Sequence, residues 1–148
     1  SERIDDPLPL DDTSSVQETM QEAARKNQYA QVVEALALLG RDSDAAKLMI
    51  ALRKDKPAAF DADLARAGLF VLFRTGQDDA FVRAYALLPA ADANDPQAVD
   101  ALWHVGRRVV REGGNMRQAV LALMAAHVRE DQIKEDAGEL RQLGLNMP

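Results

Sequence analysis

Apolar side chains recur every three or four residues along most of this chain, and no segment alternates apolar and polar residues as a half-buried strand would. That spacing places the apolar residues on one face of a helix. Turn residues separate the periodic segments, notably Gly40, Gly76, Pro89 and the pair Gly113-Gly114. The pattern predicts an all-α domain of about eight helices, and the short connections predict that consecutive helices pack antiparallel.

Cap residues predict where several helices begin, because a Ser, Asp or Asn side chain can accept an unpaired backbone N–H of the first turn. The predicted starts are the capping box SVQE at residues 15–18, Asp42 or Ser43, Pro57, Asp95 before Pro96, and Asn115 with Gln118. Residues 57–74 are predicted to form the longest apolar helix. A final amphipathic helix over residues 130–143 has the thin apolar stripe that suits the terminal cap of a helical array.

Composition indicates one folded domain preceded by a short lead-in. The chain has 148 residues, of which 47% are hydrophobic and 5% aromatic, and this balance favours closely packed helices over a β-sandwich. Residues 1–12 combine two prolines with an excess of acidic side chains, so they are predicted to be a flexible lead-in. Residues 13–148 are predicted to form a single all-α domain.

Charge and residue usage exclude several classes of function. A net charge of -6 argues against nucleic-acid binding, which needs a basic face. The absence of cysteine excludes disulfides and Cys-ligated zinc, and no apolar run is long enough for a transmembrane helix. The sequence starts at Ser1 without a Met, as an excised or processed fragment would. It leaves the compartment open between the cytoplasm and, after removal of a signal peptide, the periplasm.

Candidate catalytic and metal-binding groups are few. His104 and His127 lie on different predicted helices, and the paired acids at residues 42–44 and 61–63 fit helix caps or solvated surface better than calcium ligands. The glycine-rich REGGN segment at residues 111–115 fits an inter-helix turn better than an anion site. We therefore expect no catalytic residue, no metal and no cofactor, and a protein that is not an enzyme.

Two segments repeat the same pattern of small and apolar residues, with one extra residue in the second segment at the Gly113-Gly114 turn. The matched positions are Leu64, Gly68, Val71, Ala80, Ala84 and Leu87 in the first segment and Leu102, Gly106, Val109, Ala119, Leu123 and Ala126 in the second. This spacing resembles the tetratricopeptide repeat, although Leu64 and Leu102 replace its usual aromatic residue. The N-terminal segment matches only as a second helix, through Ala30 and Ala37.

The resemblance implies antiparallel helix pairs stacked as a short α-solenoid. Small residues at Gly68, Ala80, Gly106 and Ala119 would let the two helices of a pair approach closely. A generic helical bundle and another type of helical repeat are the alternatives.

In such a solenoid the first helix of each unit lines the concave groove. The predicted partner-binding residues are Leu69, Leu72, Phe73, Trp103, Arg107 and Arg111, with Asp100 and Val110 beside them. Phe73 and Trp103 would receive apolar side chains of a partner peptide, and Arg107 and Arg111 would hold its carboxylates. The competing interpretation assigns the apolar residues to the core and the arginines to a solvated edge.

The predicted function is therefore a non-enzymatic protein–protein interaction module that binds a peptide or an amphipathic helix in a groove. Its expected role is that of a scaffold, an adaptor or a chaperone-like subunit of a bacterial assembly. The partner is expected to be a protein, with no nucleic acid and no membrane insertion. The alternative is a structural homo-oligomerisation domain of a larger envelope or secretion-system protein.

Overall fold

A computed structural model describes residues 28–128 together with Gly138 and Arg141. These residues form α-helices and a one-turn 3-10 helix, Pro57–Ala59, and they include no strand. The α-helices are α1 (Tyr29–Leu38), α2 (Asp42–Asp55), α3 (Ala62–Arg74), α4 (Asp78–Leu87), α5 (Ala90–Ala93), α6 (Pro96–Glu112) and α7 (Arg117–Ala126). The all-α prediction is confirmed for this part of the chain.

Three predicted segments lie wholly or largely outside the described residues. The lead-in at residues 1–12 and the capping box at residues 15–18 lie outside the described residues. Within the predicted final helix, only Gly138 and Arg141 are described, and both are helical.

Three helices end at glycines, as their sequence positions predict. Gly40, Gly76 and Gly113 have φ values of 74°, 70° and 65°, in the left-handed region that favours glycine. After α1 the Arg41 N–H donates to the Leu36 carbonyl at 2.8 Å, and after α3 the Gln77 N–H donates to the Leu72 carbonyl at 3.0 Å. Each turn thus satisfies a carbonyl that the helix end leaves unpaired.

Aspartates start two of the longer helices. The Asp61 carboxylate accepts the Leu64 N–H at 3.0 Å at the start of α3. At α6 the Asp95 carboxylate accepts the N–H groups of Gln97 and Ala98, and Pro96 occupies the first turn, where it forfeits no hydrogen bond. The predicted start of α6 is therefore confirmed.

Two other predicted caps are wrong. Helix α2 begins at Asp42 itself, after Arg41, and α7 begins at Arg117, after Met116; no side-chain hydrogen bond caps either helix. The Gly40 turn leads the chain directly into α2, and the Asp42 carboxylate bonds instead to Arg74 on α3.

The predicted helix over residues 57–74 is interrupted. Pro57 starts only the one-turn 3-10 helix, and Phe60 then turns into the core with 8% of its surface exposed. Asp61 has an extended backbone, and its cap opens α3 as a separate helix. The segment between the turn residue Pro89 and the cap residue Asp95 contains the short helix α5.

The longer helices pack as hairpins, in which α1 contacts α2, α3 contacts α4, and α6 contacts α7. Helix α3 is central, because it also packs against α1, α2 and α6. The fully buried large side chains include Leu36, Leu72, Phe81 and Trp103, which come from four different helices. Their burial supplies the main favourable contribution to folding.

The predicted close approaches at small residues are partly confirmed. A Cβ built on Gly106 would overlap Met124 of α7, so α6 and α7 approach closely there, as expected. Gly68 also marks a close approach, but its nearest neighbours are Met49 of α2 and Val33 of α1, and none lies on the expected partner α4.

The two alanines predicted at the contact faces of α4 and α7 differ in burial. Ala80 of α4 is buried, as predicted. Ala119 of α7 is exposed, whereas its neighbour Val120 is fully buried. The assignment of Ala119 to the contact face is therefore wrong by one residue, which rotates a helical position by about 100°.

Candidate functional site

The structure places three of the residues proposed for partner binding in the core. Leu69, Leu72 and Trp103 have 3%, 0% and 1% of their surface exposed. The core interpretation therefore fits these three, and their side chains offer no surface to a partner in this conformation. Phe73 and Arg107 are half-buried, and Arg111 is exposed.

Trp103 is also held by a specific hydrogen bond. Its indole N–H donates to the His127 carbonyl at 2.9 Å, at the residue that follows α7. A buried indole N–H needs such an acceptor. Trp103 thus fixes the end of α7 against α6.

An open groove of about 340 Å³ lies between α3 and α6. Its lining residues are Phe70, Phe73, Gln97, Asp100, Ala101 and His104. The two helices are the ones that the sequence predicted, and Phe73 and Asp100 belonged to the predicted surface. The other lining residues, Phe70, Gln97, Ala101 and His104, were missed.

The missed residues are explained by helix rotation. Each step along a helix turns the side chain by about 100°. Phe70 and His104 follow the buried Leu69 and Trp103, so one step moves the side chain from the core to the groove. The i, i+4, i+7 spacing of Gln97, Ala101 and His104 is the sequence signal that could have identified the groove face of α6.

Aromatic contacts shape one wall of the groove. The Phe73 ring meets the His104 ring edge to face, with centroids 5.7 Å apart and an interplanar angle of 82°. On its other side Phe73 contacts the buried ring of Phe81 at 6.1 Å. These contacts fix Phe73 while leaving part of it accessible, which is the character of a preformed apolar site.

Two ion pairs lie toward the C-terminal ends of α3 and α6. The Arg74 Nε donates to Asp42 at 2.8 Å, and the Arg108 Nε donates to Asp78 at 2.8 Å. The hydrogen bond from Arg74 holds the pKa of Asp42 below its ordinary value. The hydrogen bond to Asp78 likewise raises the pKa of Arg108. Both pairs join neighbouring hairpins.

The groove face of α6 continues toward that end. Arg108 and Arg111 follow His104 at i+4 and i+7, which places them on the same side of the helix. Because Asp78 binds Arg108, that guanidinium has a defined position. Arg107 lies at the edge of this face.

A second polar cluster was not predicted from the sequence. The Tyr85 hydroxyl donates to the Ala93 carbonyl at 2.5 Å, and His127 Nδ1 lies 3.0 Å from the Asn94 side-chain oxygen. Burial, with a smaller contribution from Asp95, raises the pKa of Tyr85 to about 12. His127 lies 33 residues beyond Asn94 in the sequence, so no local pattern could have revealed the cluster.

Two other types of site are absent from the described residues. Across residues 28–128, no group of three or more His, Cys, Asp or Glu side chains could hold a metal ion. In the same part of the chain, no helix is long and apolar enough to cross a membrane.

The fold and the groove define an all-α protein with an apolar cleft between two helices of neighbouring hairpins. Comparison of the chain with protein-family models, with curated proteins and with solved structures gives no match.

Proposed function

We propose that this protein is a non-enzymatic interaction module that binds a peptide or an amphipathic helix of a partner protein in the groove between α3 and α6. The observation that carries the proposal is the accessible apolar wall formed by Phe70 and Phe73 opposite Ala101. Gln97, Asp100 and His104 supply a polar rim around it. An apolar centre with a polar rim is the usual anatomy of a protein-binding site.

A repeat architecture, similar to the tetratricopeptide array, is part of the proposal. The turns at Gly40 and Gly76 are 36 residues apart and share the same backbone hydrogen bonds. Asp42 and Asp78 begin the helices after these turns, and each binds an arginine of the next hairpin. This equivalence supports three stacked units, α1–α2, α3–α4 and α6–α7.

The equivalence of the two turns also changes the expected position of α1 within its repeat unit. It makes α1 the first helix of a unit, whereas its Ala30 and Ala37 had been aligned with a second helix. Helices α3 and α6 are then the first helices of successive units. The groove between them occupies the position of the concave surface in a solenoid.

We also propose that Arg107 and Arg111 contribute to binding at the end of the groove that lies toward the C-terminus of α6. Arg111 lies on the groove face of α6, about 10 Å beyond His104 along the helix axis. A carboxylate of the bound partner would lie close to Arg111, with Arg107 at the edge. In the wider context the protein would act as a scaffold, an adaptor or a chaperone-like subunit.

The test begins with a photo-crosslinking residue at Gln97, which is exposed and lines the groove. A partner recovered by this crosslink is then purified, and its affinity is measured by calorimetry. Phe70→Asp should weaken binding by more than tenfold because it places a charge on the apolar wall.

The matched control is Leu38→Asp, which changes an apolar residue that is 89% exposed on α1, away from the groove. This variant should bind normally. Weaker binding by the Leu38 variant together with normal binding by the Phe70 variant would contradict the groove assignment.

Homo-oligomerisation is a second candidate, favoured by a specific observation. Leu38 and Leu39 are exposed by 89% and 44% at the end of α1, where a second copy could cover them. Sedimentation velocity over a wide concentration range tests this candidate. Association that is lost in Leu38→Asp would support it, whereas a monomer at all concentrations would exclude it.

A further inference from the structure

Helix α2 exposes an apolar side chain between two lysines. Lys47, Ile50 and Lys54 follow one another at i, i+3 and i+7, which places them on one side of the helix, and all three are exposed. The two lysines lie about 10 Å apart along the helix axis, and Ile50, with 38% of its surface exposed, lies between them. We call this surface the basic face of α2. It contributes no residue to the groove between α3 and α6.

The charge of the two lysines is available to an acidic ligand. Among the residues that the structure describes, no ion pair joins Lys47 or Lys54 to a carboxylate. Asp44, one turn before Lys47, is already paired with Arg41. Residues 47–56 contain four basic side chains and one acidic one, although the whole chain has a net charge of -6. An acidic segment that also carries apolar side chains would therefore complement the basic face.

The sequence of residues 1–12 has the complementary pattern. Aspartate pairs at residues 5–6 and 11–12 flank the segment PLPL at residues 7–10. In a polyproline-type backbone each residue advances about 3.1 Å, so about 16 Å separates the two aspartate pairs. Lysine has a long and flexible side chain, so two lysines about 10 Å apart on a helix can diverge to meet both pairs.

The two prolines suit a segment that lies across a helix. A helix face offers no backbone acceptor, because the carbonyl groups of α2 are already bonded within the helix. Pro7 and Pro9 have no backbone N–H, so the segment carries two fewer donors that need an acceptor. Leu8 or Leu10 then supplies the apolar side chain that covers Ile50.

The chain enters the described part of the fold beside the end of α2. The Lys56 ammonium group, directly after α2, donates to the Tyr29 hydroxyl at 3.5 Å, so the start of α1 lies next to the end of α2. Residues 13–27 connect this point to residues 1–12. Even at the helical rise they span about 22 Å, and α2 itself is about 21 Å long. The connection is therefore long enough to bring residues 1–12 onto the basic face.

We infer that residues 1–12 bind the basic face of α2, with the aspartate pairs at Lys47 and Lys54 and a leucine on Ile50. The inference is independent of the proposed function, because the groove lies on other helices. Since the segment belongs to the same chain, its effective concentration at the face is on the order of 1 mM, so even a weak contact is populated. An acidic segment of another protein has to displace residues 1–12 to reach this face.

The absence of cysteine permits a site-specific test in the full chain. Ser1→Cys takes a single nitroxide label, which broadens the NMR signals of backbone amides that lie near it. The reduced, diamagnetic label gives the reference spectrum. At low salt the amides of Lys47, Ile50 and Lys54 should be broadened, and this broadening should be lost as added salt screens the charges.

Charge reversal tests the two sides of the contact. Lys47→Glu with Lys54→Glu should remove the broadening without altering the circular dichroism spectrum, because both side chains are exposed. Replacing the four aspartates of residues 1–12 with lysine in this variant should restore the broadening. The matched control, Arg83→Glu with Arg117→Glu on α4 and α7, reverses two basic side chains elsewhere and should leave the broadening unchanged.

Three results would overturn the inference. The first is the absence of broadening on α2 at low salt, or broadening there that persists in Lys47→Glu with Lys54→Glu. The second is broadening of Phe70 and His104 instead, which would place residues 1–12 in the groove. The third is broadening that passes from a labelled chain to an unlabelled, isotope-enriched chain in a mixture, which would make a second copy the occupant.

Discussion

The Asp78 carboxylate on α4 holds the Arg108 guanidinium on α6 through two hydrogen bonds, 2.8 Å to Nε and 2.6 Å to Nη2. The two residues belong to successive hairpins, and Asp42 and Arg74 make the same contact one hairpin earlier. Bidentate contacts of this kind fix orientation as well as distance. The stacking of the hairpins therefore depends on paired charges in addition to apolar packing.

Asp78→Asn should lower the free energy of unfolding by about 1 kcal/mol, because it replaces a charged, bidentate contact that is partly exposed to solvent. Urea unfolding followed by circular dichroism measures the change. Asp79→Asn, at the exposed neighbouring position, is the control and should have no effect. Equal losses in the two variants would indicate a general effect of charge at the start of α4.

The ion pair of Asp42 predicts a dependence of stability on pH. Since the hydrogen bond from Arg74 lowers the pKa of Asp42 in the folded protein, the pair stabilises the fold above the pKa of the unfolded state. This contribution is lost as the pH falls below about 4. Urea unfolding should therefore show a stability advantage of the unaltered protein over Asp42→Asn at pH 7 that diminishes at pH 3. An advantage that stays constant with pH would contradict the assignment.

The raised pKa of Tyr85 predicts that the folded protein loses stability at alkaline pH. Burial raises its pKa to about 12, so the neutral phenol stabilises the fold below pH 10, and this contribution is lost as the pH rises toward 12. The difference in phenolate absorbance between the unaltered protein and Tyr85→Phe should show this late ionisation. Ionisation of Tyr85 at pH 10 in the folded protein would show that the phenol is accessible to water.

Gly106 and Met124 should be energetically coupled. Gly106→Ala alone gains helix propensity but forces the buried Met124 side chain to move, for a net loss of about 1 kcal/mol. In a Met124→Ala background the same change should become stabilising, because the new methyl group fills vacated space. A double-mutant cycle in urea measures the coupling. Gly114→Ala, where no atom lies within 4 Å of the added carbon, is the uncoupled control.

Trp103 is the only tryptophan, so its fluorescence tests its position directly. A side chain that is 1% exposed should resist quenching by acrylamide until the protein unfolds. Trp103→Phe should lower the free energy of unfolding by about 1–2 kcal/mol, because it leaves the His127 carbonyl without its donor. Efficient quenching in the folded protein would instead place Trp103 on an open surface.

The sequence by itself determined that the described part of the chain is helical, where three helices stop and where α6 starts. Gly40, Gly76 and Gly113 stop helices because they adopt backbone angles that other residues avoid, and Asp95 with Pro96 starts one because a carboxylate there meets unpaired N–H groups. These effects act within a few residues, so a local pattern reveals them. The resemblance to the tetratricopeptide repeat, and no local pattern, indicated α3 and α6 as the helices beside the groove, together with Phe73.

Only the tertiary structure decided which side of each helix is buried. The residues of α3 and α6 are apolar on more than one side, so the sequence could not distinguish the buried Leu69 and Trp103 from their groove-lining neighbours Phe70 and His104. It also could not show that Gly68 meets α2, since contacts between hairpins depend on how whole helices stack. Periodicity along a chain fixes the faces of a helix, but the partner of each face is fixed by packing across distant segments.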